Sequence, residues 1–132
     1  MDTEDNARRI SVSHQETRQA YNRLSVWYDL LADASERPFR ERGLRALAVA
    51  PGEVALEIGF GTGHALVALS RAAGDAGLVC GIDLAEGMCR IAQARLIRCG
   101  QNERALLNQG DALRLPFPAG AFHAIFMSFT LE

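Results

Sequence analysis

The chain has 132 residues, 48% of them hydrophobic and 23% charged, enough for one soluble domain with a buried core. Fourteen basic residues against sixteen acidic ones leave a formal charge of −2, without the broad cationic footprint of a nucleic-acid or anionic-membrane binder. A small-molecule partner is expected instead. Met1 to Arg9 lacks the apolar core of a signal peptide, and no run approaches the roughly 18 apolar residues of a membrane span, so a cytoplasmic protein is expected. Cys80, Cys89 and Cys99 follow one another at spacings of nine and ten, which suit neither a zinc site nor a disulfide framework. They read as reduced thiols of the core.

Residues 1–13 are polar and without apolar periodicity, and are expected to form a flexible arm. The remainder, 14–132, is expected to be one domain. From His14 to Leu31, Tyr21, Leu24, Tyr28 and Leu31 recur at helical spacing and line one face. A second helix is predicted over Glu36 to Val49, with Ser35 as its N-cap and Pro38 in its first turn, ending before Pro51-Gly52. Val54 to Ile58 then reads as a short central strand bounded by glycines. Gly59 to Gly63 forms a glycine-rich turn, and Ala65, Leu66, Leu69 and Ala73 return to helical spacing.

Leu78 to Ile82 is a second apolar strand, and Glu86 to Cys99 a helix whose stripe of Met88, Ile91, Ala92, Leu96 and Cys99 is interrupted only by Arg95. Gly100 is placed to end that helix in a left-handed conformation. A third strand is predicted at Ala105 to Asn108, a connection with Pro116 and Pro118 at Asp111 to Gly120, and a strongly apolar fourth strand at Phe122 to Thr130. Strands alternating with helices imply right-handed crossovers, an α/β doubly wound parallel sheet and helices on both faces. Ligands of such sheets sit at the carboxyl ends of the strands.

The residues at those ends carry the chemistry. Glu57-Ile58-Gly59-Phe60-Gly61-Thr62-Gly63 runs a strand straight into glycines at alternate positions, where bare backbone admits a ligand to the start of the next helix. A dinucleotide fingerprint has its third glycine five residues after the first, whereas Gly63 is four after Gly59, which counts against a nicotinamide-binding domain. Asp83 ends the second strand, twenty residues after Gly63, where a carboxylate can accept both ribose hydroxyls of an adenosine without a 2′-phosphate. Gly110-Asp111-Ala112 follows the third strand, and an acceptor there can meet the exocyclic amine of adenine. Together these describe one nucleoside cavity.

The pattern Glu57-x-Gly59-x-Gly61-x-Gly63, then Asp83, Gly110-Asp111-Ala112 and Leu115-Pro116-Phe117-Pro118, resembles the class I S-adenosylmethionine-dependent methyltransferases over Tyr21 to Glu132. Ala20 to Asp29, with Tyr21 and Tyr28, is similar to the N-terminal helix of the small-molecule branch that includes the ubiquinone and menaquinone C-methyltransferases. The resemblance implies that Gly59, Gly61 and Gly63 pass under the methionine and ribose of S-adenosylmethionine. It further implies that Glu57 anchors the methionine end and Asp83 the ribose. Leu84 and Met88 would wall the adenine, Asp111 and Ala112 would meet its polar edge, Ser128 would face the methionine, and Tyr21 and Tyr28 would form a lid.

Plainer readings stand beside these. Tyr21, Trp27 and Tyr28 at helical spacing also describe helix-to-core packing, and Met88 describes a core filler that touches the ligand. His64 opens a helix and reads as structural rather than as a general base. His123 departs from the acid that the resembled family has after phenylalanine at the start of its fourth strand. Displacement of a methyl group from a sulfonium needs donor and acceptor held in line, so no catalytic residue or metal cluster is demanded or assigned.

The family continues past its fourth strand, so the chain is expected to be a C-terminally truncated methyltransferase half with strand order 3-2-1-4. The fourth strand would then be a bare apolar edge, covered in a homodimer by pairing of fourth strands or by swapping of elements. Two functions follow: a methyltransferase acting on a small apolar or quinone-like acceptor, or a catalytically inactive S-adenosylmethionine-binding or dimerising protein.

Overall fold

The computed structural model describes Leu31 and residues 33–128. Residues 1–30, which hold the expected arm, Tyr21, Trp27 and Tyr28, lie outside them, as do Phe129 and Thr130 of the expected fourth strand. The chain divides into two units, 1–35 and 36–132, and the sheet belongs to the second.

Helix α1 covers 33–47 and is already running at Ser35, which is therefore not its N-cap. Alanine, glutamate and arginine on either side of Ser35 favour continued helix and outweigh the capping preference of one serine. Pro38 consequently lies within the helix rather than in its first turn. The helix stops before Val49 because Ala48 takes a left-handed φ of 49° while donating its N–H to the Leu44 carbonyl at 3.0 Å.

Strand β1 (Val54–Ile58) leads through the glycine turn into α2 (His64–Ala73), then β2 (Leu78–Asp83), α3 (Glu86–Arg98), a single 3-10 turn (Asn102–Arg104), β3 (Ala105–Gln109) and β4 (Ala124–Met127). All pairs are parallel, and the order is β3-β2-β1-β4. This is the predicted order. β1 is central and covered on both faces, which is why it reads as an unbroken apolar run.

Alternation along the strands divides the core in two. Ala55, Val79, Ala105 and Phe126 share one cluster with Ala65, Leu66, Leu69 and Ala73 of α2 and Ala92 and Leu96 of α3, and Leu44 and Leu47 of α1 pack on it. The other face carries Leu56, Ile58, Cys80 and Ile82, with Phe117 and Phe122 of the long connection set against them. Those two rings meet edge to face with centroids 5.0 Å apart. Among the described residues, then, helices pack on one face only. Right-handed crossovers that step from β1 to β2 to β3 in one direction must return on the same side.

β4 is shorter at its start than the apolar run implied, because Phe122 leaves the ladder to join Phe117. His123 begins the pairing instead. Its N–H donates to the Val54 carbonyl at 2.8 Å, and its Nδ1 accepts the Val54 N–H at 3.0 Å. The Nδ1 that accepts this bond is the ring nitrogen without a hydrogen.

Candidate functional site

The strand tips meet at the turn after β1. Gly59, Gly61 and Gly63 take φ of 71°, 54° and 92°, a left-handed region that would strain any other residue by about 1–2 kcal/mol each. At Gly61 that conformation alone requires glycine, since a Cβ would meet nothing within 4 Å. At Gly63, the N-cap of α2, space requires it as well: a Cβ would lie 3.0 Å from the Cα and Cβ of Ala92 on α3. Phe60, between the first two glycines, folds back into the core, and Gly81 in β2 leaves room for its ring.

Asp83 ties three strand ends together. Its Oδ2 accepts the Gly61 N–H at 2.9 Å, its Oδ1 accepts the Ala85 N–H at 2.9 Å, and its carbonyl accepts the Gly110 N–H at 2.9 Å. Each carboxylate oxygen retains acceptor capacity beyond these bonds. Asp111, past β3, holds its own loop in shape: Oδ1 accepts the Leu113 N–H at 2.9 Å and its carbonyl the Arg114 N–H at 3.0 Å.

Between these elements lies a cleft of about 360 Å³ lined by Gly59, Gly61, Ile82, Asp83, Leu84, Gly110, Asp111 and Ala112. A cleft of this size falls at the small end of ligand pockets. Leu84 is 72% exposed at its rim. Seven residues singled out in the sequence therefore come together: Gly59, Gly61, Asp83, Leu84, Gly110, Asp111 and Ala112.

The others lie elsewhere. Gly63 packs against Ala92, and Met88 is half-buried against the larger core cluster. Ser128 is half-buried just after β4, without lining the cleft, and Tyr21 and Tyr28 fall outside the described residues. Ile82 lines the cleft without having been singled out. Gly110 was readable as the lead residue of Gly-Asp-Ala, and a Cβ there would press on Ile82 Cδ1 at 2.9 Å.

Glu57 is the outlier. It sits inside the sheet at 3% exposure, and its Oε2 has no hydrogen-bond partner among the described residues. Burial pushes its carboxyl well above the ordinary carboxylate range, Arg40 on α1 opposes that shift, and the Asp83 charge adds to it. A buried acid with an unsatisfied oxygen is stabilised by any cation or donor that reaches it.

A bare-backbone turn beside two carboxylates at successive strand tips is the geometry expected of a nucleoside site. The methyltransferase domain profile matches residues 55–132, more than half of the chain. The chain belongs to the methyltransferase domain family. Its fold is the class I, S-adenosylmethionine-dependent form, with the 3-2-1-4 sheet expected from the sequence.

It is 29% identical over 131 residues to the demethylmenaquinone methyltransferase of Staphylococcus aureus, covering 99% of this chain and 52% of that protein. A SAM-dependent methyltransferase from Aquifex aeolicus superposes with a TM-score of 0.62 at 28% identity, covering 69% of this chain and 48% of the other. The geranyl diphosphate C-methyltransferase of Streptomyces coelicolor, solved with S-adenosyl-L-homocysteine, shares the fold with a TM-score of 0.62 at 22% identity, covering 70% and 35%. The chain thus spans about half the length of the curated relatives it matches.

Proposed function

We propose that the cleft binds S-adenosylmethionine and that the chain serves as the cofactor-binding half of a methyltransferase acting on a small apolar, quinone-like acceptor. The observation that carries this is Asp83, whose carboxylate is bonded to the glycine turn while lining the same cleft as Asp111. The residues fit the cofactor. The glycine turn offers backbone without side chains, Asp83 has acceptor capacity for the ribose hydroxyls, and the orphaned Glu57 oxygen matches a primary ammonium.

When bound, S-adenosylmethionine supplies an electrophilic methyl group on a sulfonium. The chain's own residues orient it: Gly59, Gly61 and Gly63 at the turn, Asp83 at the ribose, Leu84 and Met88 beside the adenine, Asp111 and Ala112 at its edge. In this reading Glu57 and Ser128 serve the methionine end, and Tyr21 and Tyr28 form a lid. Orientation is the main requirement of an in-line displacement, so this half contributes binding and alignment rather than proton transfer.

The quinone-like acceptor rests on the Staphylococcus aureus relative and on the similarity of Ala20 to Asp29 to the quinone C-methyltransferases. A cytoplasmic setting belongs to the same reading. Among the described residues no helix is long and apolar enough to cross a membrane. The near-neutral charge supports small-molecule rather than nucleic-acid partners.

We also propose that the 132-residue chain forms a homodimer through β4. That strand ends the sheet among the described residues, and Ile125 and Met127 on it are 53% and 40% exposed. Sedimentation of a well-folded monomer at micromolar concentration would contradict the dimer. Calorimetry with S-adenosylhomocysteine tests the cofactor, and transfer of a labelled methyl group to a panel of quinone-like acceptors tests the activity. Binding without transfer would support the second reading, a non-catalytic cofactor-binding protein.

A further inference from the structure

The turn from Gly59 to Gly63 is held from two sides, and only one of them is the Asp83 side. On the other, Arg95 of α3, which reads in sequence as a polar interruption of an apolar stripe, donates its Nε–H to the Thr62 carbonyl at 2.8 Å. One helical turn earlier on α3, Ala92 lies directly under Gly63.

A trans peptide points its C=O and the following N–H in opposite directions. The Gly63 N–H accordingly faces away from Arg95 and donates to the Phe60 carbonyl at 3.1 Å. The peptide between Thr62 and Gly63 is thus fixed at both ends, its oxygen by Arg95 and its N–H by the turn itself. Two residues earlier, the Gly61 N–H is fixed by Asp83 Oδ2. Glycine backbone has the widest conformational freedom of any residue, and such freedom would scatter the turn unless something outside it selects one state.

We propose that Arg95 is a positioning residue: through the Thr62 carbonyl it locks the glycine turn in the conformation that presents Gly61 to Asp83 and to the cleft. Arg95 does not line the cleft, and its bond to Thr62 connects it to ligand binding through the turn. The ligand-affinity consequence rests on the nucleoside reading above; the consequence for the turn itself does not.

The test uses the full chain with R95M, which keeps the aliphatic stem and loses the donor, and R95K, which keeps a donor. Amide exchange without ligand is read first. R95M is expected to speed exchange at Gly61 and Gly63 about tenfold, the scale of one lost hydrogen bond, while amides of β2 keep wild-type rates. Affinity for S-adenosylhomocysteine is expected to fall about tenfold in R95M, with R95K recovering most of the loss.

Wild-type exchange at Gly61 and Gly63 in R95M would overturn the proposal. So would acceleration spread through the whole sheet, which marks general destabilisation, or an R95K as impaired as R95M. If the wild-type chain itself fails to bind S-adenosylhomocysteine, the cofactor reading falls and the exchange experiment still decides the role of Arg95.

Discussion

One wall of the cleft, Gly59, Gly61 and Asp83, is held by interlocking backbone bonds, whereas the other, Leu84 with Asp111 and Ala112, stands in solvent on short local turns. The first wall is shaped by long-range partners: Ile82 accepts the Gly59 N–H, Asp83 the Gly61 N–H, and Ala92 crowds Gly63. In the second, Asp111 is shaped by residues two or three positions away, and one side-chain bond, from Gln109 Nε2 to the Leu84 carbonyl at 3.2 Å, ties Leu84 to β3. Substitutions in the first wall should therefore disturb folding and binding together, and substitutions in the second binding alone.

The sharpest way to break this contrast is Gly63→Val. Left-handed strain and overpacking against Ala92 together are expected to cost about 2–4 kcal/mol of stability in denaturant unfolding, and cofactor binding with it. An unfolding midpoint unchanged from wild type would show that the turn is not interlocked. Next in size is Asp83→Ala, expected to weaken S-adenosylhomocysteine binding by about 1.5–3 kcal/mol, roughly 10- to 150-fold, as measured by calorimetry.

Glu57→Gln sharpens the comparison from inside the sheet. Because burial holds the Glu57 carboxyl above its ordinary value of 4.5, the folded chain keeps a proton that the unfolded chain has released. Stability therefore falls as pH rises from about 4.5 until the raised folded value is passed. The glutamine variant removes that slope and is expected to be about 1 kcal/mol more stable at pH 8, while binding the cofactor less tightly. Parallel stability–pH curves for the two proteins would contradict this. The smallest effect belongs to Asp111→Ala: about 0.5–1.5 kcal/mol of affinity, with an unfolding curve that stays within about 0.5 kcal/mol of wild type.

These two walls also mark how far the sequence could be read. β1, β2 and β3 were legible because each is a short apolar run bounded by glycine or a charged residue, and each strand tip carries its own punctuation. The places of Asp83 and of the Gly-Asp-Ala segment at the strand ends were legible from the sequence pattern. What spacing cannot show is a partner distant in the chain. Arg95 appeared only as a flaw in an apolar stripe, because its acceptor on Thr62 lies 33 residues earlier. Gly63 read as a ligand glycine, and spacing could not show that Ala92 crowds it as well.

Local signals were also outvoted where they were weak. Ser35 offered a cap, but the helix formers around it carried α1 through. Phe122 continued an apolar run, and the Phe117 ring drew it out of the ladder. His123, unusual in a place where the resembled family has an acid, turned out to accept the Val54 N–H through its Nδ1.

The claim on which the account stands is that both walls enclose one adenosine. A titration of the isotope-labelled chain with S-adenosylhomocysteine, followed by amide chemical shifts, tests it directly. The account predicts that Gly59, Gly61 and Ala85 on one side and Gly110 to Ala112 on the other shift together along a single binding curve. Shifts confined to one wall, or two curves with different midpoints, would contradict it.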